Sequence, residues 1–390
     1  MPQDFEDVVS PWTAASPFGL NALERPSTEE IDAVSQIGAK WLRTQYAPWA
    51  VAEQQRGVYR FTPDLDRFVE AWHDADIQAL AVLGYGNPLY SGRDDEIVAP
   101  CTPEQIQAYA SYVHATVEHY RRWTKHWEIW NEPNRRGFWK PNPFPDAYLA
   151  LLKAAYPAAK SADPDCVVVG GALFGTDLAF LERLLSLGGA RHMDALSIHP
   201  RSEASGGPKA YLEELQTVRE LVNRYRADLP IWITETGAPT TSSGGGHLPP
   251  GGQALDLVRT YVLSLAAGVE RIFWGHSPDR EVLGPLGMDP AEVPARAAYS
   301  TMTRVLEGAE CVGRVAAPDG VWAIAFRKHN QDLLVCWSPG QVTEVDLLGD
   351  AIRRWNATGL ASREADGPIR LALGPPPLYA VGHSLVVVAE

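Results

Sequence analysis

The chain has 390 residues, of which 45% are hydrophobic, and a formal net charge of −14 at pH 7. This length suffices for one large α/β domain followed by a smaller one, and the composition is that of an ordinary globular protein. The negative charge argues against a nucleic-acid ligand, because phosphate binding requires a basic surface. No apolar run approaches the ~20 residues of a membrane-spanning helix, so we expect no membrane insertion.

The first residues and the cysteines bear on cellular location. Residues 1–10 are acidic and lack the basic start and apolar core of a signal peptide, so we expect a cytoplasmic protein. A chain whose signal sequence had been removed would look the same, and would be secreted or periplasmic. The four cysteines are scattered without a Cys-x-x-Cys pair, which indicates neither a zinc site nor a disulfide framework.

Strand-like and helix-like segments alternate from residue 18 to residue 306. The predicted strands are Phe18–Asn21, Lys40–Arg43, Gln78–Leu83, His126–Trp130, Val167–Gly171, Ala195–His199, Ile231–Thr234 and Arg271–Trp274. The predicted helices are Ser27–Gly38, Thr62–Ala75, Thr102–Tyr120, Pro145–Ala162, Asp177–Leu187, Lys209–Arg226, Gln253–Ala267 and Pro294–Leu306. This alternation predicts an α/β fold of the (β/α)8 TIM-barrel type. The competing fold, a doubly wound sheet, would carry a Gly-rich phosphate loop after its first strand, and the sequence has none there.

The pattern changes after Gly308. The segments that follow are short, apolar and bounded by turn residues, namely Val321–Phe326, Leu333–Cys336, Val342–Leu347, Ile369–Leu373 and Ser384–Val388. Such a series is typical of a small antiparallel β domain. We therefore predict a catalytic barrel over residues 1–307 and a sandwich-like β domain over residues 308–390.

Two of the predicted strands run into glutamates. Glu132 ends the apolar run that begins at Trp127, and Glu235 ends the run that begins at Ile231. In a barrel both side chains would lie at the carboxyl ends of parallel strands, where barrel enzymes carry their chemistry. A charge beside such an apolar run is costly unless it is paired or functional. Two facing carboxylates are what glycosidic bond cleavage needs, one as acid and base and one as nucleophile.

Other functions remain open at this point. A metal-dependent hydrolase would need clustered ligands, but the histidines form no His-x-His or His-x-x-x-His unit, so we predict no metal and no cofactor. A non-catalytic saccharide-binding barrel would normally lose one carboxylate, whereas this chain keeps both. A structural or partner-binding barrel would leave unexplained the aromatic cleft that Trp127, Trp130 and Trp139 suggest, although Trp127 also suits a core.

The segments around both glutamates resemble a known group of enzymes. Trp-Glu-Ile-Trp-Asn-Glu-Pro-Asn at 127–134 and Ile-Thr-Glu-Thr-Gly at 233–237 resemble the acid/base and nucleophile signatures of clan A glycoside hydrolases. Within the clan the chain is most similar to glycoside hydrolase family 39, which includes β-xylosidases and bacterial exopolysaccharide endoglycosidases. The likeness continues through Gly19–Asn21, Leu42–Arg43, Ala195–His199 and Phe273–Trp274. It implies a retaining β-glycoside hydrolase that cleaves a β-linked oligo- or polysaccharide by double displacement.

The resemblance also implies roles for single residues. Glu132 would protonate the leaving oxygen, so we expect its pKa to be raised, and Glu235 would attack the anomeric carbon. Asn131 would bind the sugar's 2-hydroxyl. Arg43 and His199 would hold Glu235 ionised, the alternatives being a rim salt bridge and a core histidine.

Further substrate contacts are expected around this centre. Trp274 would form an apolar floor under the sugar ring. The other expected contacts are Trp49, Tyr85, Trp139, Arg201 and His276. The partner we infer is a carbohydrate, and the residues indicate no particular sugar or oligomeric state.

One departure from the clan follows His199. Many members carry a tyrosine two residues after this histidine, in contact with the nucleophile, whereas here Pro200 and Arg201 follow. Arg201 would then either take over that contact or lie on the surface. Arg201, or Arg135 and Arg136 next to the acid/base, could instead pair with an acidic saccharide.

Overall fold

Eight parallel strands close into a barrel in chain order. The structure is a computed structural model that describes residues 16–21, 28–237, 248, 250–275 and 293–389. The barrel strands are β1 Phe18–Asn21, β2 Trp41–Thr44, β3 Gln78–Leu83, β4 His126–Ile129, β5 Val167–Phe174, β6 Ala195–His199, β7 Ile231–Thr236 and β8 Arg271–Trp274. The predicted barrel and its eight strands are therefore confirmed, with four of the strands ending where the sequence pattern placed them.

Helices follow the strands and cover the outside of the barrel. They are α1 Thr28–Gln36, α2 Trp49–Ala52, α3 Pro63–Asp74, α4 Pro88–Ser91, α5 Pro103–Tyr120, α6 Pro145–Ala162, α7 Leu178–Ser186, α8 Gly207–Asn223, α9 Pro250–Ala266 and α10 Val293–Leu306. Helix α5 begins with a capping box, in which the side chains of Thr102 and Gln105 accept from each other's backbone amides. The short helices α2 and α4 were not predicted, because four residues carry too little periodicity.

The barrel interior is a packed core of its own. Trp41, Leu80 and Trp232 belong to a buried cluster to which six of the strands contribute side chains. Gly19 leaves room in this cluster, since a Cβ there would lie 2.7 Å from the Phe273 ring. The outward side chains pack against the helices in the main core. Both faces of each strand are buried, which explains why the strands read as nearly continuous apolar runs.

The residues after α10 form one six-stranded antiparallel sheet in the order β13-β12-β14-β11-β10-β9. Its strands are β9 Glu310–Arg314, β10 Trp322–Lys328, β11 Gln331–Trp337, β12 Thr343–Asn356, β13 Ile369–Leu373 and β14 Leu378–Ala389. The predicted antiparallel β region is confirmed, and β9 is a strand that was not predicted.

Each face of this sheet buries a different core. Ile324, Phe326 and Val335 belong to the same core cluster as the barrel helices, so the sheet packs directly on the barrel. Ala323 and Val345 belong to a second cluster formed within the sheet itself. The division into two domains at residues 307 and 308 stays a prediction. Within the described ranges, no helix has both the length and the apolar character that crossing a membrane requires.

Candidate active site

Glu132 and Glu235 lie together at the carboxyl end of the barrel. Glu132 follows β4, and Glu235 is next to last in β7. Three atoms lie within 4.8 Å of one another in this site. They are one carboxylate oxygen of Glu132, one of Glu235 and a ring nitrogen of His199. The two glutamates are 2% and 3% exposed, so both are held inside the mouth of the barrel rather than on its rim.

An unusual backbone path aims Glu132 into this space. Trp130 and Glu132 have φ angles of 69° and 47°, and Ala172 on β5 has a φ of 46°. Residues with side chains rarely adopt this left-handed region, and neighbouring contacts must hold them there. The Glu132 amide donates to the Ala172 carbonyl oxygen over 2.9 Å. The Ala172 amide in turn donates to Ser197 Oγ over 2.8 Å. The irregular part of β5 therefore positions the end of β4.

Arg43 connects the floor of the site. Its Nε donates to Glu128 Oε2 over 2.6 Å, and its Nη1 lies 3.3 Å from Glu235 Oε2. Its Nη2 donates to Asn131 Oδ1 over 2.6 Å. Burial lowers the pKa of the completely buried Arg43, but the charges of Glu128 and Glu235 outweigh burial and the net shift is upward. Arg43 is thus a permanent cation beneath Glu235.

Glu128 holds Arg43 from below. Its side chain is fully buried within β4, and its second oxygen accepts a hydrogen bond from Ser197 Oγ over 2.7 Å. Sequence reasoning did not single out Glu128 or Ser197. The signal was present, since a charge inside a buried strand requires a partner just as Glu235 does.

Asn131 is oriented by the same network. An arginine only donates hydrogen bonds, so the oxygen of the Asn131 amide must face Arg43 and its NH2 group must face elsewhere. Tyr85 hydrogen-bonds with Asn131, and burial raises the pKa of Tyr85. The Tyr85 ring also packs edge-on against Trp130 at 5.4 Å between ring centroids. The predicted residues Asn131 and Tyr85 therefore lie beside the two glutamates.

His199 contacts Glu132 rather than Glu235, which differs from what was expected. Its Nδ1 lies 3.5 Å from Glu132 Oε1, and its Nε2 lies 3.0 Å from Thr234 Oγ1. His199 lies near Glu235, as expected, within the 4.8 Å group. Its ring nitrogens contact Glu132 and Thr234. Thr234 was not predicted as a site residue, because a threonine inside a strand carries no signal of its own.

The pKa of Glu132 is lowered, and the prediction of a raised pKa is therefore wrong for this structure. Burial raises the pKa of this carboxyl, but hydrogen bonding and charge from His199 and then Arg135 outweigh burial. Arg135 Nη1 lies 3.0 Å from Glu132 Oε2. The sequence could not predict this pair. Arg135 reaches Glu132, three residues earlier, only because of the conformation that the backbone adopts between them.

The remaining predicted residues fall in several places. Trp274 ends β8 and is 2% exposed. Trp49, the first residue of α2, donates a hydrogen bond to Glu53 and stacks on Tyr90 and Tyr112, so it packs as a core residue. Arg201 is exposed and lines a surface depression. His276 lies outside the described residues. The roles of these residues in substrate binding stay predictions.

The expected aromatic cleft requires a correction. Trp127, Trp130 and Trp139 are each 0% exposed. Trp139 packs edge-on against Trp130 and Tyr148, with ring centroids 5.2 Å and 5.9 Å away. These three tryptophans are buried and do not wall an open cleft.

Glu132, His199 and Glu235 are also the types of residue that bind metals, and their donor atoms are close enough together to do so. Each carboxylate already pairs with a guanidinium, since Arg43 lies 3.3 Å from Glu235 and Arg135 lies 3.0 Å from Glu132. A metal ion would have to displace these cations or lie beside them. The arrangement therefore suits acid, base and nucleophilic chemistry better than metal binding.

Comparisons with known proteins bear on the family and the fold of this chain. The model of the family "Glycosyl hydrolases family 39" matches residues 25–244, which is more than half of the chain. A β-xylosidase of Geobacillus stearothermophilus is 24% identical, over 55% of this chain and 50% of that protein. The chain therefore spans about half the length of this curated relative.

Solved structures share the fold. A family 39 glycoside hydrolase from Bacteroides cellulosilyticus superposes with a TM-score of 0.78 and 23% identity, covering 94% of this chain and 81% of that one. A monomeric β-xylosidase from Caulobacter crescentus gives a TM-score of 0.68 and 16% identity, covering 96% and 97%. At these identities the likeness is one of architecture.

Proposed function

The chain belongs to glycosyl hydrolase family 39, and from that premise we propose that it is a retaining β-glycoside hydrolase. The observation that carries the proposal is the approach of Glu132, His199 and Glu235 within one group of 4.8 Å. Retaining enzymes need carboxyl groups about 5–5.5 Å apart, whereas inverting enzymes need about 6.5–9.5 Å to admit a water molecule.

In the first step Glu235 is the nucleophile. One of its oxygens forms a bond to the anomeric carbon while the bond from that carbon to the leaving oxygen breaks. The electron pair of the broken bond goes to the leaving oxygen, which takes the proton of Glu132. Arg43 aligns Glu235 through the contact at 3.3 Å. Asn131 offers its NH2 group to a sugar hydroxyl, because its oxygen faces Arg43.

In the second step Glu132 is a base. Its carboxylate removes a proton from water as the water oxygen attacks the anomeric carbon and displaces Glu235. His199, at 3.5 Å from Glu132, supports the carboxylate form needed at this stage. Because relatives of the chain are β-xylosidases, aryl β-D-xylosides are the first substrates to assay.

The roles of the two glutamates are tested by alanine variants and azide. Glu235→Ala should abolish turnover of 4-nitrophenyl β-D-xyloside, because no covalent intermediate can form. Glu132→Ala should still form that intermediate from this activated substrate but hydrolyse it slowly. Azide should then restore turnover of Glu132→Ala with a β-glycosyl azide as product. Rescue of Glu235→Ala should give the α-azide, because azide enters from the vacated face.

Glu203→Ala is the matched control. Glu203 is a buried glutamate, 2% exposed, in the loop after β6, where it pairs with Arg259. Removing the Glu203 side chain should change the stability of the protein. Azide should not alter the turnover of the Glu203→Ala variant. Swapped product configurations for the two test variants would reverse the assigned roles. Release of an inverted sugar by the wild type would exclude the retaining mechanism.

A further inference from the structure

Arg135 covers the proposed acid/base from the solvent side. It binds Glu132 Oε2 at 3.0 Å, while the other Glu132 oxygen faces His199. The Glu132 side chain is 3% exposed and the Arg135 side chain is 46% exposed. A molecule arriving from solvent therefore meets Arg135 before Glu132.

Two aromatic rings hold the Arg135 guanidinium in place. Its Cζ lies 4.5 Å from the centre of the Phe174 ring and 5.5 Å from that of Phe138. Phe174 is 38% exposed, and Phe138 stacks on Tyr85 at 6.1 Å. The Arg135 guanidinium and the Phe174 ring therefore form one surface, with a planar cation beside an apolar ring. Such a surface suits a ligand that carries a carboxylate next to an apolar face.

This surface lies on the side of the leaving group. In the proposed mechanism the sugar that is attacked contacts Glu235, and the oxygen that leaves contacts Glu132. The group attached to that oxygen therefore extends along the Glu132 side of the site. Arg135 is the exposed cation that contacts Glu132 there.

The ion pair opposes the first catalytic step. While Arg135 binds Glu132, the carboxylate form is favoured, and a carboxylate has no proton to donate. A neutral leaving group gives Arg135 no other partner. A carboxylate on the leaving group competes for the guanidinium and can bind both of its arms, which makes a charge-assisted pair of hydrogen bonds.

We propose that Arg135 makes the leaving-group side of the site selective for saccharides that carry a carboxylate. This inference rests on the proposed function. The anion of the substrate draws Arg135 away from Glu132, and Glu132 takes up a proton from water. That proton passes to the glycosidic oxygen as the bond breaks, with the electron pair staying on the leaving oxygen and Glu235 bonding the anomeric carbon. With a net charge of −14 on the chain, this attraction to anions is local.

Two matched glycosides test the selectivity, namely 4-carboxyphenyl and 4-carbamoylphenyl β-D-xyloside, which have similar shapes and differ in charge. The wild type should cleave the carboxylate with a kcat/KM at least tenfold higher than the carboxamide. Arg135→Leu should abolish this preference, and Arg135→Lys should keep part of it as a point charge. Arg136→Leu removes the same charge from an exposed neighbour and should keep the preference.

A binding measurement separates this inference from the proposed function. The Glu235→Gln variant should bind the carboxylate glycoside at least fivefold more tightly than the carboxamide by calorimetry. Adding Arg135→Leu should remove the difference. Equal binding of both glycosides, or equal loss of preference in Arg135→Leu and Arg136→Leu, would overturn the inference. Failure of the wild type to cleave any glycoside, with the binding preference intact, would instead overturn the proposed function.

Discussion

Replacing Arg43 with methionine removes the cation that contacts both Glu128 and Glu235. Methionine keeps much of the apolar stem but loses the contacts to Glu128 at 2.6 Å and to Glu235 at 3.3 Å. The side chains of Arg43 and Glu128 are 0% exposed and that of Glu235 is 4% exposed, so both carboxylates would stay buried without this partner. Breaking a buried pair from one side costs about 3–5 kcal/mol. We expect the free energy of unfolding to fall by that amount, as measured by urea denaturation.

The same change should lower activity on folded protein. Arg43 makes one charged contact to Glu235 and one hydrogen bond to Asn131, at 3.3 Å and 2.6 Å. Hydrogen bonds to charged groups contribute about 1.5–3 kcal/mol each. If both act in the transition state, kcat/KM should fall by roughly 10²–10⁴-fold, since about 1.4 kcal/mol corresponds to a factor of ten. The assay is aryl xyloside hydrolysis at a temperature where circular dichroism shows the variant folded.

Two controls define what would refute this reasoning. Arg183→Met breaks an exposed pair with Asp146, whose side chains are 54% and 58% exposed, and should cost no more than about 1 kcal/mol. Arg43→Lys keeps the charge but not the planar fork, so its losses should be intermediate. An Arg43→Met variant that unfolds within about 1 kcal/mol of the wild type and keeps kcat/KM within tenfold would refute the account.

Three further outcomes are expected. Gly171→Ala should lower the free energy of unfolding by about 2–4 kcal/mol, because Gly171 has a φ of 112° and a Cβ would lie 2.4 Å from the Ser197 carbonyl oxygen. Gly57→Ala, with a φ of 74° and open space, should cost less in the same denaturation assay. Arg135→Leu removes one cause of the lowered pKa of Glu132, so the basic limb of kcat/KM for a neutral aryl xyloside should move to higher pH. An unmoved limb would show that Arg135 does not control this proton. Burial and the charge of Arg271 lower the pKa of His126 from 6.5 to about 3. As the pH falls below 6.5, His126 takes up a proton in the unfolded chain but stays neutral in the folded one. The free energy of unfolding therefore falls, by about 2 kcal/mol at pH 5. His126→Gln should flatten that loss, as read from denaturation midpoints between pH 4 and 8.

The barrel could be predicted because its signal is local. Each strand is buried on both faces and so appears as an apolar run. Helices α3, α5 and α7 begin at a capping side chain and follow an amphipathic pattern. Strands Gln78–Leu83 and Ala195–His199 have the predicted bounds. Strand β9 was missed because its residues alternate between exposed and half-buried and form no apolar run.

The position of the two glutamates along the chain was also a local property. Glu132 and Glu235 stand out because each ends a strand-like run, and parallel strands in a barrel bring such ends together. Their roles as acid/base and nucleophile remain proposals that rest on family membership and on the 4.8 Å grouping.

The sequence alone therefore determined the barrel, the positions of its strands and the two carboxylates at its mouth. These features follow from the local pattern of apolar and polar residues, which can be read from neighbouring positions in the sequence. Only the folded structure decided which arginine pairs with which carboxylate. Arg43 meets Glu128, Glu235 and Asn131 across 85, 192 and 88 residues of chain. Arg135 turns back onto Glu132 through a left-handed backbone turn that β5 supports. Pairings of this kind depend on strand register and side-chain direction in three dimensions. The contacts of His199 and Arg135 lower the pKa of Glu132, where sequence reasoning expected it to rise.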